Sequence, residues 1–259
     1  MMQILKEWIK KAFNAFGFEI RRKGQGTKRI TLADALDHFV RLGFEPQTVI
    51  DVGVADGTFE LYEKFPGAKH LLIEPLKEWE VALKKISGKY NAEYVLAAAG
   101  SKPGTTTINV HTDLSGSSIL RETEGSHVDG TPRKVPVITI DDVCKEKAVR
   151  GPYVIKVDVQ GAELLALDGA QKTLEDTELV LLEVSMFKFF ENGPEFYDVI
   201  NYMKSRGFVV YDIFDTHNRP LDDALAQVNI AFVRENGQFR KCHYYATLKQ
   251  REEFSKHLK

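Results

Sequence analysis

Short apolar runs alternate with stretches whose apolar positions recur at helical spacing. Residues 48–52, 70–74, 93–97, 153–158 and 179–184 form the runs, and two more, 208–214 and 229–233, close the series. They read as strands, being brief and bounded by turn-forming residues. Between them, residues 59–64, 78–86, 163–174 and 195–206 read as helices, the last ended by Gly207. Strands that are apolar throughout and separated by helices belong in a parallel sheet covered on both faces. The pattern therefore predicts an α/β fold, a doubly wound and mostly parallel sheet of seven strands with helices on both faces.

Two segments depart from this rhythm. Residues 105–139 are rich in Thr, Ser and Gly, and predict a hairpin-like excursion, 106–110 against 134–138, around a long loop. Ahead of the first strand, Thr31 caps a predicted helix running to Leu42, which Gly43 ends. Further upstream, Ile4, Leu5, Trp8, Ile9, Phe13 and Phe16 make an apolar stripe flanked by Lys6, Lys10 and Lys11 on a helix over residues 1–18. A basic linker over residues 21–26 follows it. These changes divide the chain into an N-terminal helical appendage over residues 1–45, a main domain over 46–240 and a charged tail over 241–259.

Composition narrows the function. The chain has 259 residues, 43% hydrophobic and 28% charged, with a formal net charge of −2, so nothing global points to nucleic acid. Cys144 and Cys242 stand far apart and outside any metal-binding spacing, which makes a reducing cytoplasm the expected compartment and argues against a structural or catalytic metal. No apolar run approaches the roughly 20 residues that span a bilayer. The lysines among the first residues break the order expected of a signal peptide. The basic amphipathic stripe of residues 1–23 allows contact with an anionic membrane surface, or packing against the domain or a second copy in a homodimer; packing is the commoner fate of such a stripe.

The candidate chemistry begins after the first strand, in Asp51-Val52-Gly53-Val54-Ala55-Asp56-Gly57. A glycine-containing turn between strand and helix lets backbone approach a ligand closely. The spacing is not GxGxxG, and Asp51 would repel a pyrophosphate. It suits a ligand carrying an ammonium and a sulfonium, as S-adenosylmethionine does. Glu74 ends the second strand, about 20 residues on, where an acid can accept hydrogen bonds from both ribose hydroxyls of a nucleoside. Ala97, Ala98 and Ala99 follow the third strand and leave room for a flat ring. Asp51, Glu74, Ala97, Asp158 and Glu183 are all expected at the carboxyl edge of the sheet, where such folds bind ligands.

Residues 155–163, Ile-Lys-Val-Asp-Val-Gln-Gly-Ala-Glu, resemble the IKIDVEGAE signature of the FkbM family of methyltransferases. The residues Val49-Ile50-Asp51-Val52-Gly53 with Gly57, Ile73-Glu74-Pro75, Ser115-Gly116-Ser117-Ser118, residues 137–142 and Leu167-Asp168-Gly169-Ala170 agree with it, so the resemblance spans residues 48–233. It departs at Gln160, where the family has Glu. The resemblance implies a Rossmann-like class I methyltransferase fold, S-adenosyl-L-methionine as cofactor, and O-methylation of a hydroxyl on a sugar or other natural product. The cofactor-binding residues expected from turn and resemblance together are Asp51, Gly53, Ala55, Gly57, Glu74, Pro75, Ala97 and Ala98.

Lys156 and Asp158 lie two apart on a strand and share a face, where they can pair. A hydroxyl is a poor nucleophile, so a base that accepts its proton helps, and Asp158 and Glu183 are the candidate catalytic residues. Glu163 opens a helix, where the dipole alone favours a carboxylate. His111 and His127 fall in the long polar loop, where a lone histidine is ordinarily solvated. Cys144 has no base partner in view. A nicotinamide-dependent oxidoreductase and a catalytically inactive binding protein on the same fold remain as alternatives; Asp51 and the missing GxGxxG count against the first, and fold alone does not exclude the second.

Overall fold

A computed structural model of the chain describes residues 29–256 and, ahead of them, Phe13 alone, which is helical and exposed. The amphipathic segment expected over residues 1–18 and the linker over 21–26 otherwise lie outside the described residues.

In chain order, α1 (Leu32–Arg41) precedes β1 (Thr48–Val52), α2 (Phe59–Lys64), β2 (Lys69–Ile73), a 3₁₀ turn Lys77–Trp79, α3 (Glu80–Lys89) and β3 (Ala92–Val95). Next come β4 (Ala98–Ala99), β5 (Gly104–Val110), β6 (Thr131–Ile138), α4 (Ile140–Glu146), β7 (Tyr153–Val157), α5 (Glu163–Asp168) and α6 (Gln171–Glu175). The chain continues with β8 (Thr177–Ser185), α7 (Phe196–Ser205), β9 (Phe208–Asn218), β10 (Leu225–Arg234) and α8 (Leu248–Lys256).

Seven strands form one sheet in the order β3-β2-β1-β7-β8-β10-β9. The pairs from β3 to β8 are parallel, and β10 runs antiparallel to both β8 and β9. This is the Rossmann-like class I methyltransferase arrangement. Strand order reverses between β1 and β7, so the carboxyl ends of β1, β2 and β7 open on one crevice, the place where such sheets take ligands.

Side chains alternate across the sheet. Ile50, Val52, Ile155 and Val157 fill the core on one face with α4, α5 and α7. Val49, Leu72 and Val154 fill the other with α1, α2 and α3. That second face explains α1. Its Thr31 accepts from the Asp34 amide while Asp34 accepts in return from the Thr31 amide, closing a capping box. Ala35, Leu36 and Phe39 are then buried in the domain core. The Leu32 amide donates to Asp215 at 2.9 Å, and Arg29 pairs with Asp212, both on β9. Residues 29–45 of the segment expected as an appendage thus pack on the sheet itself.

The excursion over residues 104–138 is the expected hairpin, β5 against β6, completed by β4 into a second, three-stranded sheet. Ala98 and Ala99 are therefore strand residues, beyond the end of β3 at Val95. The single helix expected over 163–174 breaks into α5 and α6 at Gly169, because the chain there crosses Gly100: a Cβ on Gly169 would fall 2.1 Å from the Gly100 carbonyl oxygen. Strands β9 and β10 outrun the expected 208–214 and 229–233, extending as a two-stranded ribbon to Asn218 and from Leu225. Among the described residues, no helix is long and apolar enough to cross a membrane.

Candidate active site

A cleft of about 290 Å³ opens at the carboxyl ends of β1, β2 and β7. The turn after β1 forms one wall with Gly53, Ala55, Asp56 and Gly57. Glu74 and Pro75 end β2 on the next wall, Ala98 and Ala99 lie behind them, and Lys156, Asp158 and Gln160 close the far side. Leu114, Ser115, Ser117 and Ile119, from the loop between β5 and β6, also line the cleft.

The expected turn glycines line the cleft and also let the chain pack closely. Gly53 has φ 76°, and a Cβ there would fall 1.8 Å from the carbonyl oxygen of Asp158. Gly57 has φ 120°, and a Cβ there would fall 2.8 Å from the Ile86 side chain. Both therefore let the turn sit tightly on its neighbours.

Glu74 stands where the sequence placed it. The residue is 4% exposed, with carboxylate Oε2 accepting from the Ala55 amide at 3.0 Å and Oε1 from the Leu76 amide at 2.8 Å. Burial raises its pKa, and those two amides oppose the rise. A carboxylate offers about four lone-pair positions, so each oxygen keeps one for a further donor. Beside it, Leu76, Ala98 and Ile108 make an apolar slot with Trp79 and Ile119 packed against them. The sequence reading placed Trp79 in the helix expected over 78–86 and gave it no part in the site; it sits in the 3₁₀ turn just ahead of α3.

Asp51 corrects the expectation. It was to face the ligand from a strand end, yet it lies inside β1, fully buried, and does not line the cleft. Alternation turns its side chain toward α2, where the Tyr62 hydroxyl donates to Oδ2 at 2.5 Å. Tyr62 also accepts from the Thr58 amide at 3.1 Å, so Asp51 holds the glycine turn through Tyr62. Oδ1 makes no hydrogen bond and faces Lys156 at 3.7 Å. Burial, the largest influence, raises the Asp51 pKa, against the pull of Lys156. Ala97 is likewise buried behind the cleft rather than on its wall.

Lys156 is the register partner of Asp51 across the β1–β7 pair. Its ammonium lies 3.3 Å from Asp158 Oδ2 and donates to the Gly53 carbonyl at 3.3 Å. Burial disfavours the cation, but Asp158 and Asp51 outweigh that and raise the Lys156 pKa. The expected Lys156–Asp158 pair is thus formed, and it places Asp158, 31% exposed at its side chain, on the cleft wall.

Gln160 does most to assemble the far side. Its amide nitrogen lies 3.0 Å from Asp158 Oδ1 and 3.1 Å from Glu183 Oε2, so one amide bridges both candidate carboxylates. Gln227, on β10, donates to the same Glu183 oxygen at 2.9 Å. Burial and the neighbouring Asp158 and Glu163 charges raise the Glu183 pKa to about 8. Glu163 does more than meet a helix dipole: it is buried, accepts from the Val159 and Gly161 amides at 3.2 and 3.0 Å, and burial raises its pKa to about 7.

The remaining candidates lie elsewhere. His111 lies 3.7 Å from Glu122 within the loop, and a Cβ on Gly125 would fall 3.4 Å from the His127 ring. Burial pushes the Cys144 thiol up to about 11, far from a reactive thiolate. Among the described residues, no group of three or more His, Cys, Asp or Glu is placed to hold a metal ion.

The model of the methyltransferase FkbM domain matches residues 51–210, more than half of the chain. The chain belongs to the FkbM methyltransferase family. No curated protein matches it. Among solved structures it is similar to a precorrin-6y C5,15-methyltransferase from Geobacter metallireducens, at 12% identity, with 83% of this chain and 93% of that one covered and a TM-score of 0.44. It is also similar to magnesium protoporphyrin IX methyltransferase from Synechocystis PCC 6803 with bound SAM, at 11% identity, 88% and 96% coverage and a TM-score of 0.41. These distant likenesses add nothing about substrate.

The cofactor of this FkbM chain is S-adenosyl-L-methionine. The cleft fits it on the chain's own features. Glu74 retains an acceptor position on each oxygen, as a pair of vicinal hydroxyls requires. The apolar slot beside Trp79 suits a flat base. Among the described residues, the lining carries Asp56, Glu74 and Asp158 against the single cation Lys156, a net acidic surface that favours a cationic ligand.

Proposed function

We propose that this methyltransferase acts on a hydroxyl oxygen of a sugar or other natural product, with Asp158 and Glu183 on the acceptor side. The observation that carries this reading is the amide bridge of Gln160, on the cleft wall across from Glu74, between Asp158, which lines the cleft, and Glu183, which lies behind Gln160 and outside the lining. S-adenosylmethionine supplies the activated methyl group. The protein contributes alignment and the handling of one proton.

In this reading Glu74 orients the cofactor's ribose, with Ala55, Pro75 and Ala98 lining its site and Gly53 and Gly57 shaping the turn. Asp51 positions the turn through Tyr62 and has no direct contact with the ligand. Asp158, held by Lys156, orients the acceptor hydroxyl. Glu183 accepts its proton: two amides fix Oε2, and a carboxylate with a pKa raised to about 8 is a stronger base than an ordinary one once it is ionised. The alternatives of a nicotinamide oxidoreductase and an inactive binding protein have no observation in their favour here.

The reading is tested by incubating the protein with methyl-labelled cofactor and mixtures of hydroxylated acceptors, then locating the label by mass spectrometry and NMR. Label on a hydroxyl oxygen is the expected outcome. Label on nitrogen or carbon would overturn the O-methylation.

A further inference from the structure

We propose that Ser118 is a positioning residue for methyl transfer: it holds the backbone of Gln160 so that the Gln160 amide stays between Asp158 and Glu183. The proposal rests on the acceptor-side reading of those carboxylates.

Ser118 is 2% exposed, and its hydroxyl donates to the Gln160 carbonyl at 2.6 Å. The same oxygen accepts from the Leu120 amide at 3.0 Å, which fixes the direction of the hydroxyl. Its backbone pairs both ways with Asn109 of β5, at 2.8 and 3.2 Å, and the Asn109 side chain donates to the Leu120 carbonyl. The hydroxyl is therefore presented by a loop segment that an isolated bridge ties to β5 of the second sheet.

Gln160 needs such a hold. Its φ is 54°, in the left-handed region that a side chain with a Cβ disfavours, and Gly161 follows at φ 91°. Glu163 binds this turn from below through the amides of Val159 and Gly161. Ser118 binds it from above through the intervening carbonyl. Phe190 closes the side: a Cβ on Gly161 would fall 2.6 Å from its ring. With the backbone pinned at these points, the short side chain of Gln160 can span two acceptors that would otherwise repel each other. Because Leu114, Ser115, Ser117 and Ile119 line the cleft from the same loop, one loop both lines the cleft and, through Ser118, holds the bridge between the acceptor-side carboxylates.

The groups facing Glu183 are Asp158 and Lys156 from the β7 side, Glu163 at the head of α5, Gln160, and Gln227 from β10. Removing the donor Gln160 leaves Glu183 harder to ionise, since a hydrogen bond to the charged form favours it. The test follows the Glu183 carboxyl carbon by NMR against pH in full-length protein labelled at its glutamates and saturated with S-adenosylhomocysteine. Its signal is assigned by its loss in Glu183→Gln. Ser118→Ala is expected to move this titration upward by about half a pH unit or more, in the direction of Gln160→Ala, while affinity for S-adenosylhomocysteine stays within a factor of about two. Ser118→Cys, which keeps the volume but donates weakly, is expected to move it the same way and carries the test if Ser118→Ala does not fold. A wild-type titration in a folded Ser118 variant, beside a shifted one in Gln160→Ala, would overturn the proposal. Undiminished turnover of Glu183→Gln on an identified acceptor would instead overturn the acceptor-side reading, whatever Ser118 does to the titration.

Discussion

Gly53 and Asp158 lie so close that a Cβ on the glycine would fall 1.8 Å from the aspartate's carbonyl oxygen. The turn after β1 and the turn after β7 are thereby pressed together, and the two halves of the cleft share one wall. The Asp158 amide reinforces this by donating to the Val52 carbonyl at 3.0 Å. Gly53→Ala forces both a strained φ and a backbone collision. It is expected to destabilise the fold by at least about 2 kcal/mol, read as a loss in denaturant unfolding; a stability equal to wild type would contradict the close contact.

Glu74→Gln keeps one acceptor oxygen and the size of the side chain but loses the charge and one bidentate position. Affinity for S-adenosylhomocysteine is expected to fall roughly 10–100-fold, which corresponds to the ~1.5–3 kcal/mol of hydrogen bonds to a charged group. Calorimetry measures this directly, and unchanged affinity would remove Glu74 from the ribose site.

His70 makes stability depend on pH. It is fully buried on β2 against Tyr62 and Tyr90, and burial depresses its pKa to about 4, from 6.5 for the free side chain. The unfolded chain therefore takes up a proton as pH falls through 6.5, whereas the folded chain does so only near 4. The imidazole's contribution is complete above pH 6.5 and is lost progressively as pH falls toward 4. Between pH 7.5 and 5 the wild type is expected to lose about 2 kcal/mol more stability than His70→Leu. Equal losses in the two proteins would contradict the assignment.

Much of this was legible in the sequence because it rests on local pattern. Apolar runs bounded by turns gave the strands, Thr31 and Gly43 gave the limits of α1, and the 155–163 signature located the far wall of the cleft. What escaped depends on contacts between distant segments. Asp51 was placed by its nearness to the strand end, but the side it faces follows from the pleat and from Tyr62 on α2. The role of Gln160 was invisible because its partners Ser118, Glu183 and Gln227 converge only in three dimensions. Gly169 did carry a signal, a glycine inside a helical pattern, and it marks where the helix breaks over Gly100.

The pH dependence of catalysis follows from Glu183. As a proton acceptor it must be ionised, and burial together with the Asp158 and Glu163 charges holds its pKa at about 8. With an identified acceptor, kcat/KM is expected to rise with pH through about 8 and then level off. In Glu183→Gln the limb near pH 8 should vanish. A limb that persists in the variant would assign it to another group.

The partition of the cleft, with cofactor held at Glu74 and acceptor handled at Glu183, is tested most directly by comparing binding with turnover in Glu183→Gln. Affinity for S-adenosylhomocysteine is expected to stay within a factor of about two of wild type, while kcat falls by about 10²–10⁴. A variant that loses cofactor affinity but, once saturated, turns over at the wild-type rate would contradict the account.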